Sequence, residues 1–435
     1  MQLSVIGTGY LGATHAACMA ELGHEVVGGD IDAAKVAALR AGNPPFFEPG
    51  LAELLARHNG RGLDFTTDIS HAAQSASVHF ITVGTPGSLA SASIDTGFVE
   101  SALRSLVPLL RGTHLIVGKS TVPVGTAARL ERLCRELSHP DADVELAWNP
   151  EFLREGHAVG DTLRPDRIVL GSRPEGRAVA ILRDVYAEAL AGGTPLIVTD
   201  FASAELSKLA ANAFLATKVS FINAIAEVCE AQGGDVVAVA QTMGCDARIG
   251  AEFLGSGLGF GGGCLPKDVR GFAATANDMG AAGAAELLWG VEKLNRQLPR
   301  AYADVLNYML GGLCGAQVAF LGCAFKPGSD DVRESPALAL AQQLAHKGAC
   351  VRVYDPQAMG TARSVAPELD YVESVAQALN DADAIVLATE WPEFVSLDPR
   401  FAEGLVRKKN ILDARNVVDK LRWSGWTLYQ RGRRV

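Results

Sequence analysis

The chain has 435 residues, 48% of them apolar and 20% charged, with a formal net charge of −10. That length accommodates two or three domains with full cores, and the acidic balance argues against broad binding to nucleic acid or anionic membrane. Eight cysteines without a Cys-x-x-Cys pair or metal-type spacing to histidine predict no disulfide framework, no metal site and a reducing cytoplasm.

The N-terminus is apolar but lacks the basic region and long core of a signal peptide. Charged or polar residues interrupt each apolar run before membrane-spanning length. Gln2–Ile6 reads as a short buried strand, followed by Gly7-Thr8-Gly9-Tyr10-Leu11-Gly12 and a helix to about Leu22. A second strand, Glu25–Gly29, ends at Asp30. This strand, glycine turn, helix, strand and acid form a dinucleotide-binding pattern. Gly7 permits the tight turn, Gly9 lets a pyrophosphate approach backbone, and Gly12 lets helix pack on strand. Asp30 suits a ribose diol and would repel a 2′-phosphate, so the expected cofactor is NAD.

Further apolar runs predict parallel strands that end in small polar loops. Residues 78–83 lead to Gly84-Thr85-Pro86, 114–118 lead to Lys119-Ser120-Thr121, and 146–148 lead to Asn149-Pro150-Glu151. Ligands bind at such carboxyl ends, so the three loops are expected to converge on one crevice. From Phe201 to about Gln232 the chain lacks proline and reads as one long helix, a linker and a packing surface for a partner subunit. Lys208 and Asn212 share a face of it, among apolar neighbours.

The run Gly259-Phe260-Gly261-Gly262-Gly263-Cys264-Leu265-Pro266-Lys267-Asp268 places one cysteine where a helix should begin, with Pro266 suited to the first helical position. The exposed N–H groups there favour thiolate, the nucleophilic form. The seven other cysteines read as buried structural residues. The last third repeats the opening pattern: a strand at 317–322, a helix at 335–346, strand Cys350–Tyr354 ending at Asp355, and a strand at 384–388. Its first turn, Cys323 to Gly328, lacks the glycine fingerprint and offers Lys326, with Arg333 nearby, for a different phosphate-bearing ligand. The Arg431-Gly432-Arg433-Arg434 tail reads as a solvated terminus. The fold class is therefore α/β, with two Rossmann-like doubly wound domains joined by a long central helix.

The chain resembles the UDP-glucose/GDP-mannose dehydrogenase family over nearly its whole length. The resemblance rests on GTGYLG at 7–12, Asp30 with Lys35, EPGL at 48–51, VGTP at 83–86, KSTVPVGT at 119–126 and NPEFLREG at 149–156. It continues with Lys208 and Asn212, ARIG at 247–250, GFGGGCLPKD at 259–268 and LGCAFKPGSDDVRESP at 321–336. Within the family, KSTVPVGT and the Pro-Lys-Asp ending are most similar to the members that oxidise UDP-glucose. Gly263 and Leu265 depart from that pattern, where serine and phenylalanine are frequent.

The resemblance implies an NAD-binding domain at 1–200, a central helical and dimerisation region at 201–300, and a sugar-nucleotide domain at 301–435. It implies four-electron oxidation of a nucleotide sugar at C6, with Cys264 carrying a thiohemiacetal and then a thioester. Lys208 and Asn212 would stabilise the C6 oxyanion, Asp268 would act as base or place a water, Glu151 would activate water at the thioester, and Thr121 would help place that water or the nicotinamide. The cofactor set it implies adds Tyr10, Leu11, Lys35, Gly84, Thr85, Pro86, Thr121, Glu155 and Arg333 to Gly7, Gly9, Gly12 and Asp30. The substrate set is Glu151, Phe152, Leu153, Arg154, Lys208 and Asn212, with Gly255, Ser256, Gly257, Leu258, Gly259, Phe260 and Gly261 along the other side. Lys326 would meet the diphosphate, and Arg248 would reach the ligand of a neighbouring subunit in a homodimer. GDP-mannose and dTDP-glucose are alternative substrates for the same chemistry. A non-catalytic NAD-binding redox sensor is the alternative of another class.

Overall fold

In the computed structural model, which describes residues 1–87 and 93–433, the chain divides into two compact units. One is Met1–Ala211 with Ala274–Gly280, and the other is Asn212–Ala273 with Ala281–Val435.

The first unit is built on strands β1 (Gln2–Ile6), β2 (Glu25–Gly29), β3 (Leu63–Thr66), β4 (Val78–Ile81), β5 (Gly112–Gly118), β6 (Ala142–Trp148), β7 (Ile168–Gly171) and β8 (Leu196–Thr199). Their order in the sheet is β3-β2-β1-β4-β5-β6-β7-β8. The ladder is parallel except where β6 meets β7 through Trp148 and Gly171. Both faces are covered, so the strands are near-continuous apolar runs rather than alternating ones. Successive residues still go to opposite cores. Leu3, Val5, Phe80 and Val117 pack on one side, and Ile6, Ile81, Ile116 and Trp148 on the other. The chain reverses direction across the sheet between β1 and β4, the switch point where such folds bind ligands.

The second unit holds β9 (Gln317–Leu321), β10 (Cys350–Tyr354), β11 (Asp370–Tyr371), β12 (Ala384–Leu387), β13 (Asn410–Asp413) and β14 (Thr427–Gln430). The order β11-β10-β9-β12-β13-β14 is the same doubly wound pattern, parallel throughout. Val318 and Phe320 face one core and Ala319 and Leu321 the other.

The long helix spans Phe201–Gln232, as its composition predicts. Contrary to the expectation drawn from interrupted apolar runs, it is long and apolar enough to cross a membrane by length and composition, and half of its most apolar stretch is buried in protein. The helix after the glycine run is Leu265–Asp278, so Pro266 takes the second helical position rather than the first. Cys18, Cys134, Cys229 and Cys323 are buried as expected, but Cys245, Cys314 and Cys350 are exposed. The tail is not simply solvated. Arg431 is buried and pairs with Glu227 at 2.7 Å, and Gly432 O accepts from Val236 N at 2.7 Å. Arg434 lies outside the described residues.

Candidate active site

In the first unit, Gly7 sits at φ +95°, a left-handed conformation that its lack of a Cβ permits. A Cβ on Gly12 would collide with the Gly7 carbonyl oxygen, whereas one on Gly9 would meet nothing within 4 Å. Gly12 thus closes helix onto strand, and Gly9 leaves open backbone for a ligand. Asp30 Oδ2 accepts from Thr8 N at 2.8 Å and from Lys35 Nζ at 2.9 Å, and Oδ1 accepts from Asp32 N at 3.0 Å. Burial pushes its pKa up, but Lys35 and the backbone donors outweigh that and hold it below the usual carboxylate range. A cleft of about 530 Å3 includes Gly7, Gly9, Asp30, Lys35 and Gly84 in its lining. Open glycine backbone beside an ionised acid fits an NAD pyrophosphate and ribose diol.

The loop after β6 is fixed by Glu48 of the EPGL motif, a role that local sequence does not show. Glu48 accepts from Tyr10 Oη, from Gly156 N at 2.7 Å and from Ala158 N at 2.7 Å, and it is buried. Burial, and then Glu48, push the Tyr10 pKa up, so its hydroxyl stays a donor. On that loop Glu151 Oε1 pairs with Lys208 Nζ at 2.9 Å, and Oε2 accepts from Leu153 N at 2.8 Å. Phe152 lies under Arg167, whose guanidinium is 3.8 Å from the ring centroid, and 5.6 Å from Lys208 Nζ. Arg154 pairs with Asp161 at 2.7 Å, and Glu155 is buried. Thr85 is buried, Gly84 and Pro86 are exposed, and Thr121 and Leu11 are half-buried. Glu205 caps the helix Thr126–Leu137, accepting from Gly125 N at 2.7 Å and Ala127 N at 2.5 Å, which anchors the end of the Thr121 loop.

In the second unit, Cys264 is exposed and directly precedes the helix Leu265–Asp278. Asp268 N donates to Cys264 O at 2.9 Å, so the carboxylate stands one turn beyond the sulfur. Asp268 is buried, with Oδ1 2.7 Å from Lys267 Nζ and Oδ2 accepting from Asn212 Nδ2 at 2.6 Å. The glycine-rich loop is held through its backbone. Asn295 Oδ1 accepts from Phe260 N and its Nδ2 donates to Phe260 O, both at 2.9 Å. Gly257 N donates to Asn223 Oδ1 at 2.9 Å. Ser256 Oγ receives Asn416 Nδ2 at 2.7 Å. Leu258 and Phe260 are buried in two different cores, so they anchor the loop. Gly255 has open space where a Cβ would be, and a Cβ on Gly261 would come within 2.5 Å of Glu334 O. A Cβ on Gly263 would lie 2.5 Å from Arg333 Cζ, the far end of a flexible, exposed side chain that can move aside. Arg415 donates to Ala388 O at 2.7 Å, Gly259 O at 3.2 Å and Phe325 O at 3.1 Å, joining the loop to the ends of β9 and β12. Lys326 Nζ lies 5.5 Å from the Phe325 ring centroid. Arg248 is exposed and pairs with Asp246 at 2.6 Å.

The two glycine-turn regions differ in what their acids do. Asp355 ends β10 as Asp30 ends β2, and Cys323 N and Ala324 N donate to it at 2.8 and 3.0 Å. Trp391 Nε1 also donates to it at 3.2 Å, and the carboxylate is almost fully buried. Asp355 is therefore held by structural donors on both oxygens. Local sequence does not show the Trp391 contact of Asp355, nor what Glu48, Asn295 and Arg415 hold, because their partners are far along the chain.

Residues 1–190 match the NAD binding domain of the UDP-glucose/GDP-mannose dehydrogenase family. Residues 202–297 match its central domain, and 319–420 its UDP binding domain. The chain is 41% identical to a UDP-glucose 6-dehydrogenase of Rhizobium meliloti, covering 97% of this chain and 96% of the relative. It is 42% identical to one of Haloferax volcanii, covering 97% and 98%. Its fold superposes on a UDP-glucose dehydrogenase from Pyrobaculum islandicum with a TM-score of 0.92, at 39% identity over 100% of this chain and 98% of that one. The chain belongs to the UDP-glucose/GDP-mannose dehydrogenase family.

Proposed function

We propose that this chain is an NAD-dependent UDP-glucose 6-dehydrogenase, converting the C6 alcohol of UDP-glucose to the carboxylate of UDP-glucuronate in the cytoplasm. The observation that carries this reading is the exposed Cys264 at a helix start, with buried Asp268 one turn on and held by Lys267 and Asn212. The level of identity to two UDP-glucose 6-dehydrogenases supports the choice of sugar nucleotide.

Bound NAD supplies a hydride acceptor for each oxidation. Asp268 takes the C6 hydroxyl proton in the first. Lys208 and Asn212, one turn apart on the helix Phe201–Gln232, stabilise negative charge on the C6 oxygen. An aldehyde carbon releases a hydride only after a nucleophile has added to it. The Cys264 thiolate adds to form a thiohemiacetal, and the second oxidation leaves a thioester. Glu151 takes a proton from water as it attacks the thioester, releasing the carboxylate and the Cys264 thiol.

The same reading includes a homodimer through the helix Phe201–Gln232. Phe214, Phe221 and Val228 recur every seven residues and are 65%, 47% and 57% exposed, an apolar stripe suited to a second helix. Sedimentation of Phe221→Arg tests it, with dissociation to monomers expected.

The test of function is a panel of UDP-glucose, GDP-mannose and dTDP-glucose assayed for NADH yield. Two NADH per UDP-glucose and no released aldehyde are expected. One NADH per sugar rejects the covalent route, and NAD binding without turnover of any sugar indicates a sensor.

A further inference from the structure

Lysine is seldom fully buried without a carboxylate partner. Lys119, immediately after β5, is buried, and among the described residues its Nζ donates to neutral groups only. These are Asn149 Oδ1 at 3.0 Å, Asn149 O at 3.5 Å and Tyr186 Oη at 3.4 Å. Tyr186 Oη donates to the same Asn149 Oδ1 at 2.7 Å, and Asn149 Nδ2 donates to Val169 O on β7 at 2.8 Å. Asn149 is thus locked at the root of the loop that carries Glu151, two residues on. A cavity of about 60 Å3, room for a few waters, touches Lys119, Asn149, Glu151 and Tyr186.

We propose that Lys119 is a positioning residue for thioester hydrolysis, its buried ammonium fixing Asn149 and supplying positive charge behind Glu151. The proposal rests on the assignment of Glu151 to that step. An ammonium without a carboxylate in hydrogen-bond contact costs folding energy, and the cost is offset where a nearby carboxylate must hold a fixed place and charge. Burial pushes the Lys119 pKa down to about 8, the Glu151 charge opposing that fall and Lys208 adding to it. The groups around it are His15, Tyr186, Glu151 and Lys208. Burial holds His15 far below neutrality, with Lys119 adding to the effect. Burial also pushes Tyr186 up, beyond the working range. Lys119 therefore changes charge near pH 8 while His15 and Tyr186 stay neutral.

The test isolates hydrolysis. Enzyme is mixed with NAD and UDP-glucose, quenched at intervals, and the Cys264 adduct is followed by mass spectrometry alongside NADH. Lys119→Met, of similar length and neutral, is expected to accumulate the thioester and lose it about ten- to a hundredfold more slowly. Its NADH burst and NAD affinity are expected to match wild type, which a merely structural role would not allow. In wild type alone, the rate of thioester loss is expected to decline as pH passes about 8, and the ratio of wild-type to variant rates to fall toward one. Thioester loss at the wild-type rate in Lys119→Met overturns the proposal, as does equal slowing of the NADH burst. Should that variant not fold, a wild-type rate that stays flat or rises from pH 7 to 9 overturns it. Glu151→Gln serves as the control for the underlying reading. If it fails to accumulate thioester, the Glu151 assignment falls and the role of Lys119 with it, whatever Lys119→Met does.

Discussion

Asn212 Nδ2 donates to Asp268 Oδ2 at 2.6 Å, so an amide on the long helix and the carboxylate one turn beyond Cys264 act as one unit. Lys267 holds the other carboxylate oxygen at 2.7 Å. The side chain is fixed on both oxygens and buried, which suits a base that must meet one hydroxyl. Asp268→Asn keeps the shape and removes the proposed base. Its expected effect is a fall in kcat of roughly 10²- to 10⁴-fold, with NAD affinity unchanged by fluorescence titration. A fall below tenfold would return Asp268 to a purely structural role.

In the proposed mechanism Cys264 divides the two oxidations. In Cys264→Ala the first hydride can still leave an alcohol, but the aldehyde has no thiolate to add to it. Enzyme in excess over sugar is expected to yield one NADH per UDP-glucose on the wild-type timescale, with the second absent or slower by about 10³-fold or more. Two NADH at the normal rate would exclude a covalent adduct.

The glycines at 9 and 12 separate folding from binding. A Cβ on Gly12 collides with the Gly7 carbonyl, which is backbone and cannot swing aside. Gly12→Ala should lose about 1–3 kcal/mol or more of stability, seen as a lower Tm without ligand. A Cβ on Gly9 meets nothing within 4 Å, so Gly9→Ala should melt at the wild-type temperature. Its NAD affinity should drop by roughly tenfold or more, a loss of at least about 1.4 kcal/mol. Equal Tm values for the two variants would contradict these separate roles.

What could be read from sequence was what is local. The Gly7–Asp30 unit was legible because turn, helix, strand and acid fall within one crossover. The helix Phe201–Gln232 was legible because no proline or glycine interrupts it. Strands β3, β7, β8, β11, β13 and β14 are two to four residues long, too short to establish a period, whereas the equally short β4 and β12 were legible from the longer apolar stretches 78–83 and 384–388. The fate of an acid was less legible than its position. Asp30 and Asp355 end equivalent strands, yet Trp391 and four backbone amides occupy Asp355. The amides of Gln357 and Ala358 are local, but Cys323, Ala324 and Trp391 lie more than thirty residues away. Arg431 looked like a basic tail for the same reason, because Glu227, its partner, lies about two hundred residues earlier.

The first unit also contains a source of acid sensitivity. His79 on β4 is fully buried, with Nδ1 2.7 Å from Ser4 Oγ and Nε2 3.0 Å from His114 Nδ1. Burial, with a contribution from His114, pushes its pKa down to about 3. An unfolded histidine titrates near 6.5. Below that pH the unfolded chain gains a proton that the native His79 refuses until about pH 3, so stability is lost as pH falls through this window. Buried His15, shifted in the same direction, adds to it. Each neutral histidine contributes a slope of roughly 1.4 kcal/mol per pH unit below about pH 6. Urea unfolding at pH 7.5, 6 and 5 should show that decline. His79→Gln should be less stable at pH 7.5, through its lost bonds, yet shallower in slope by about 1.4 kcal/mol per unit between pH 6 and 5. A slope equal to wild type would mean that His79 takes up its proton in the native state, and that the Ser4–His79–His114 chain tolerates a buried charge.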